Sequence, residues 1–179
     1  ATDIGFLYID DKNDINYGLT FRNIGFQIKP YADTNEKLPL SIDAGISQLL
    51  EHVPIRWHLT IENLQEWNIA FSNPNRAEES LDGEVTEEKV SFINNALRHV
   101  IIGAELFPEK GFNIRLGYNF RRAEELRIVD QRNFSGISAG IGLRLGRIRF
   151  NYSYSRYTAA ANTSLFGLLI NLDGDYNRY

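Results

Sequence analysis

The sequence predicts an all-β fold: an antiparallel transmembrane β-barrel, here an incomplete one of about nine strands. Three observations carry that expectation. Apolar and polar residues alternate along most of the chain, the connections between the alternating segments are short and long in turn, and the polar alternates are rich in Gly, Ser, Asn and Arg.

The alternation is plainest in FNIRLGYNFRR, where Phe112, Ile114, Leu116, Tyr118 and Phe120 interleave with Asn113, Arg115, Gly117, Asn119 and Arg121. A strand sends successive side chains to opposite faces, so this segment has one apolar and one charged face. LPLSIDAGIS, PIRWHLTIENL, SGISAGIGLRLG and IRFNYSYSRY repeat the pattern. Strands are predicted near 3–10, 15–24, 38–48, 54–63, 99–107, 112–121, 136–145, 148–156 and 163–172. Their lengths suit the roughly 9–11 residues with which a tilted strand crosses a bilayer. Trp57, Trp67, Phe112, Phe120, Tyr154 and Tyr157 fall near strand ends, where interfacial aromatic girdles form.

One helix is predicted, over 86–98 in TEEKVSFINNALRH. Thr86 can cap it, Glu87 and Glu88 suit its first turn, and Arg98 and His99 suit its last. Val90, Ile93 and Leu97 form an apolar stripe expected to pack on neighbouring loops. An acidic, turn-rich segment precedes it, and residues 1–179 read as a single domain without repeats.

In chain order the connections are DDKND (short), GFQIKPYADTNEK (long), LLEHV (short), residues 64–98 (very long), PEKG (short), RAEELRIVDQRNFS (long), GR (short) and YTAAAN (longer). Both ends of a soluble sandwich face the same solvent, so nothing there enforces such a rule. Outer-membrane barrels have short periplasmic turns and long extracellular loops. With that orientation the first and last strands run the same way, and nine is an odd count. Single-chain bacterial barrels are even-stranded, so the expectation is a piece of a larger barrel that cannot close by itself.

Composition narrows the function classes. The chain is 43% hydrophobic with a net charge of -4, which gives nucleic acid no basic footprint. It has no cysteine, so disulfide and thiol chemistry are excluded. His52, His58 and His99 are scattered without metal-ligand spacing, and no serine sits in a nucleophile motif. No metal, cofactor or catalytic residue is therefore expected.

WHLTIENLQEWNIAFSNP, LRHVIIGAELFP, FNIRLGYNFRRAEELRI and FSGISAGIGLRLGRIRFNYSYSRYT, taken in order, resemble the C-terminal half of the PorQ family. The resemblance runs from NYGLTFRNIGFQIKPY to LFGLLINL. These are outer-membrane barrels of the type IX secretion system of Bacteroidota, related to PorV and more distantly to FadL-type barrels. The resemblance implies a larger FadL-like barrel with further sequence upstream, located in the cell outer membrane. It implies a non-enzymatic role in the cargo attachment complex, anchoring a PorZ-like surface protein beside PorU and PorV. FadL-like transport of hydrophobic molecules is the alternative, and a soluble β-rich binding module is a third reading.

Two sets of residues are candidates for function. Asp43, Arg56, His58, Glu62, Glu105, Arg115, Arg144 and Arg149, with Arg121, fall on the polar alternates and are expected to face a lumen. There they either line a ligand path or pair with one another, and pairing is the expected state. Arg121, Arg122, Arg127 and Arg132, in RRAEELRIVDQR, are the candidates for contact with a surface partner or with lipopolysaccharide phosphates. Local pairing in a solvated loop is the plainer reading of that segment.

Overall fold

The structure is a computed structural model that describes residues 1–26, 38–70, 78–79, 85–86, 90–126, 135–156 and 162–172. Its elements are β1 (Thr2–Asp10), β2 (Ile15–Ile24), β3 (Ser41–Leu49), β4 (Ile55–Ile61), β5 (Glu78–Glu79), β6 (Val85–Thr86), α1 (Phe92–Arg98), β7 (Val100–Leu106), β8 (Phe112–Asn119), α2 (Phe120–Glu125), β9 (Ile137–Leu145), β10 (Ile148–Arg156) and β11 (Asn162–Ile170). The fold is all-β. Nine strands form one antiparallel sheet in the order β1-β2-β3-β4-β7-β8-β9-β10-β11, an up-and-down meander. Strands β5 and β6 pair only with each other.

All nine predicted sheet strands are present, and 15–24 and 148–156 keep their predicted bounds. Three of the ends that moved did so for local reasons. Strand β3 starts after Pro39, which has no N–H for a ladder. Strand β4 stops at Ile61, two residues before Asn63 adopts a left-handed φ of 56°. Strand β8 stops at Asn119, whose side chain accepts from the Arg122 backbone N–H at 2.9 Å and caps α2. Phe120 and Arg121 are therefore helical, not the end of a strand.

The predicted helix is shorter than the pattern suggested. Its cap is Ser91, whose side chain accepts from the Asn94 N–H at 3.3 Å, while Thr86 lies in β6. The side expected to be buried is also reversed. Phe92, Ile93 and Leu97 are exposed, and the buried positions of α1 are Asn95 and Arg98. Polar partners from outside the helix decide this orientation: Asn95 Nδ2 donates to the Trp67 carbonyl, and the buried Arg98 guanidinium lies 3.9 Å from the Glu125 carboxylate.

Register sorts the sheet into two faces, because directly opposed residues share a face. Ile114 opposes Ile141, Leu116 opposes Ala139 and Tyr118 opposes Ile137 on one face. Arg115 opposes both Glu105 and Gly140 on the other. The apolar face continues through Phe6, Tyr17, Ile46, Leu59, Ile102, Tyr152 and Phe166. Nothing covers it. Among the described residues the one buried hydrophobic is Ile69, which lies in the segment after β4, whereas Leu116 is 51% and Ile141 56% exposed.

The sheet is rolled with its polar face inward. A cavity of about 620 Å³ is lined from β2, β3, β4, β7, β8, β9 and β10, by Asn16, Ser47, Arg56, Glu105, Asn113, Gly142 and Arg149 among others. Laid flat, seven strands would span roughly 29 Å at the usual spacing, far wider than a cavity of that volume. Only a concave sheet lets all seven reach it. Among the described residues β1 pairs only with β2 and β11 only with β10, so the sheet is open.

Candidate functional site

The cavity lies at the short-turn end of the polar face, and its chemistry follows from the pleat. Arg56 and His58 come from β4, Glu105 from β7, and Arg144 and Arg149 from the β9–β10 hairpin. Pro108, Glu109, Lys110 and Gly111, in the turn between β7 and β8, close one side. Five of the nine residues predicted to face a lumen are thus gathered at one site. Arg144 and Arg149 directly oppose each other across the hairpin. Its two-residue turn has Gly146 at φ 61° in the first position, the sign pattern of a type II′ turn that seats strands tightly.

The expected pairing of charges holds at one place and fails at another. Asp43 is buried and takes an ion pair from Arg22, a hydrogen bond from Ser41 Oγ at 2.8 Å and one from the Asn63 N–H at 3.1 Å. That hub sits at the long-loop end, away from the cavity, where it ties β2 and β3 to the chain leaving β4. Within the cavity, Arg56, Arg149 and Glu105 form no ion pair with the described residues.

Arg115 lies on the same face, outside the cavity wall. Its Nη2 donates to Asn151 Oδ1 at 2.8 Å, reaching from β8 to β10 across β9. Gly140 lies between them, opposed to Arg115 and Ser153, so no side chain blocks the crossing. Glu62 does not belong to the lumen set, because β4 ends at Ile61 and Glu62 joins the loop.

At the opposite end a second cluster is built by α1, α2 and residues 62–70. The ring nitrogens of His99 lie 2.7 Å from the Glu62 carbonyl oxygen and 3.0 Å from that of Trp67. The Trp67 indole stacks on the His99 ring at 5.4 Å and packs against Phe92 at 4.9 Å. Trp67 therefore belongs to this cluster and not to a girdle on the strand ends. Glu125 receives Arg121 Nε at 2.9 Å and lies 3.9 Å from the buried Arg98.

This places the candidate partner-binding arginines. Arg121 is held by Glu125, the local pairing that the mixed charges of the segment suggested. Arg122 sits beside it in α2. Arg127 and Arg132, like Tyr157, lie outside the described residues. Sequence reasoning missed Arg22, Asn113 and Asn151 as working members of the polar face. Each was legible by alternation, but which polar alternates meet depends on register and curvature.

Fold and site together define a class: an all-β protein whose curved, open antiparallel sheet is apolar outside and polar within. Comparison with family models, curated proteins and solved structures finds no match for the chain.

Proposed function

We propose that the chain forms part of an outer-membrane β-barrel that anchors an extracellular partner of the type IX cargo attachment complex, a PorZ-like protein beside PorU and PorV. The observation that carries the membrane reading is the inverted distribution of apolar side chains. Across the central strands the large hydrophobics point outward and are exposed, while charges line the concave side. In water that surface is an aggregation hazard far larger than ordinary exposed patches. Facing hydrocarbon, it is the solvated side.

The anchoring role rests on the family resemblance and on where the chain puts its extra structure. Both helices lie at the long-loop end, extracellular in this reading, and α1 turns Phe92, Ile93 and Leu97 outward. A rigid scaffold carrying ordered loops suits a docking role without catalysis. The FadL-like alternative fares less well, because the cavity is walled by arginines and glutamates and makes a poor path for hydrophobic molecules.

Pull-down of the partner from outer membranes tests the reading. Charge reversal at Arg122, Arg127 and Arg132 should weaken partner retention while the barrel still assembles. Arg121 is the poorer choice, since its reversal also breaks the bridge to Glu125. Neutralising Arg115 and Arg144 should leave retention unchanged. Loss of cargo attachment in the Arg115 and Arg144 variants, with none in the loop variants, would hand the case to transport.

A further inference from the structure

Helix α1 repeats on a small scale the inversion of the sheet. Its polar side is buried: Asn95, Arg98 and the adjoining His99 all face inward. Asn95 Nδ2 meets the Trp67 carbonyl, Arg98 meets Asn94 and Glu125, and the His99 ring meets the carbonyls of Glu62 and Trp67. Its apolar side is uncovered, with Phe92 72% and Ile93 71% exposed. Leu64 and Trp67, half-exposed in the segment after β4, enlarge the patch, and the Trp67 ring lies 4.9 Å from that of Phe92. A helix standing in water turns its polar side out. The patch also adjoins the apolar face of the sheet. His99 caps α1, and the next residue, Val100, opens β7 opposite Ile61, on the face that continues through Leu59 and Ile102. Seven helical residues measure about 10 Å, so no part of α1 is far from that face.

We propose that α1 and Trp67 lie in the headgroup boundary of the bilayer, where their apolar side chains dip into lipid and hold the long-loop end of the sheet in place. The inference rests on the membrane reading of the sheet and leaves partner contact to the arginines after β8. Continuity favours lipid over protein as the occupant. The patch prolongs a face that already needs a non-aqueous solvent, and it does so at the strand ends, where that solvent stops. Composition agrees. Tryptophan is a residue whose amphipathic ring settles at headgroup level. Exposed Gln65, Glu66 and Asn68 interleave with Leu64 and Trp67, as suits a segment that follows a boundary between polar and apolar layers. An interfacial helix buries its apolar side roughly 5–10 Å into that boundary. At this end of β4 and β7 the girdle is then carried by a helix and a loop instead of by the strands themselves.

The chain has two tryptophans, so each can serve as a fluorescent probe. Trp57 lies on the apolar face of the sheet, opposite Ala104, and is the reference. Trp57→Phe leaves Trp67 as the single reporter, and Trp67→Phe leaves Trp57. Each variant of the full chain is reconstituted in phosphatidylcholine vesicles doped with lipids brominated either near the headgroup or deep in the acyl chains. Trp67 should lose more fluorescence to the shallow bromines than to the deep ones, and little to aqueous iodide. Ile93→Asp, at a position exposed enough to tolerate the change in water, should return Trp67 to iodide quenching and leave Trp57 as it was. Quenching of Trp67 by iodide and by neither lipid, with Trp57 still quenched by lipid, would overturn the proposal and spare the membrane reading. Absence of lipid quenching at both tryptophans would end both. Shielding of Trp67 from iodide without lipid quenching would overturn it in favour of a covering protein segment. Stronger quenching of Trp67 by the deep bromines would overturn it too, by setting α1 within the hydrocarbon.

Discussion

Leu116 and Arg115 are neighbours in sequence and opposites in surroundings. Leu116 is 51% exposed on the apolar face, whereas Arg115 reaches across β9 to Asn151. If the apolar face meets hydrocarbon, Leu116→Arg should cost about 2–4 kcal/mol in a reversible folding assay in lipid, as at mid-depth positions of other barrels. A neutral Leu116→Arg variant would count against lipid contact. Gly136 offers a test that does not depend on the membrane. Its φ is +85°, and a Cβ there would stand 2.5 Å from the Asn119 carbonyl oxygen and 3.0 Å from Ala123. Gly136→Ala should destabilise the α2–β9 junction by about 1–3 kcal/mol, read as a lower denaturation midpoint. At this scale the face of each strand residue was legible, since period two is a local property. The partner of Asp43 was not: Arg22 lies 21 residues away and meets it only through the β2–β3 register.

At the scale of elements, α1 shows what a pattern cannot decide. Its apolar stripe was readable, but the side buried was settled by hydrogen-bonding partners from residues 62–70 and α2. His99 is the centre of that arrangement. His99→Ala would strip the contacts to the Glu62 and Trp67 carbonyls and the stack with Trp67. The expected cost is about 1–3 kcal/mol from the lost ring contact to the Glu62 carbonyl and the lost stack, confined to this end, while the Trp67 carbonyl keeps Asn95 Nδ2 and the Ile69 N–H. Hydrogen exchange should then show faster opening of 62–70 and α1, with the central strands unchanged. Uniform acceleration across the sheet would mean that the cluster supports the whole fold. The N-cap followed the same logic. Thr86 and Ser91 are both competent caps by type, and tertiary contacts of the last two turns selected Ser91.

At the scale of the molecule, the strand count governs the edges. Nine antiparallel strands in a meander leave β1 and β11 running in the same direction. A fully antiparallel closure therefore requires an odd number of further strands between them. In hydrocarbon the unpaired N–H and C=O groups along β1 and β11 would be costly. Both edges are also apolar on both faces: Leu7 and Ile9 on β1, and Leu165 and Leu169 on β11, share the side of the polar alternates and are exposed. The membrane reading then expects β1 and β11 to be as protected from amide exchange in the native membrane as β3 and β9. Fast exchange at both edges there would show an open sheet and end the barrel reading.

The sequence by itself determined the strands, their faces and the alternation of short and long connections. Each is written within a few residues, by side-chain period or by turn chemistry, so no distant part of the chain can alter it. It also named the charged alternates, but not their company. Which charges pair and which converge depends on register between strands far apart in the chain and on the inward roll of the sheet. That roll brings Arg56, Glu105, Arg144 and Arg149 to one cavity and leaves Asp43 with Arg22 at the other end. The direction in which α1 faces was likewise a tertiary decision, made by buried hydrogen bonds that outweighed an apolar stripe. Local periodicity assigns a residue to a side; only three-dimensional packing assigns it a neighbour.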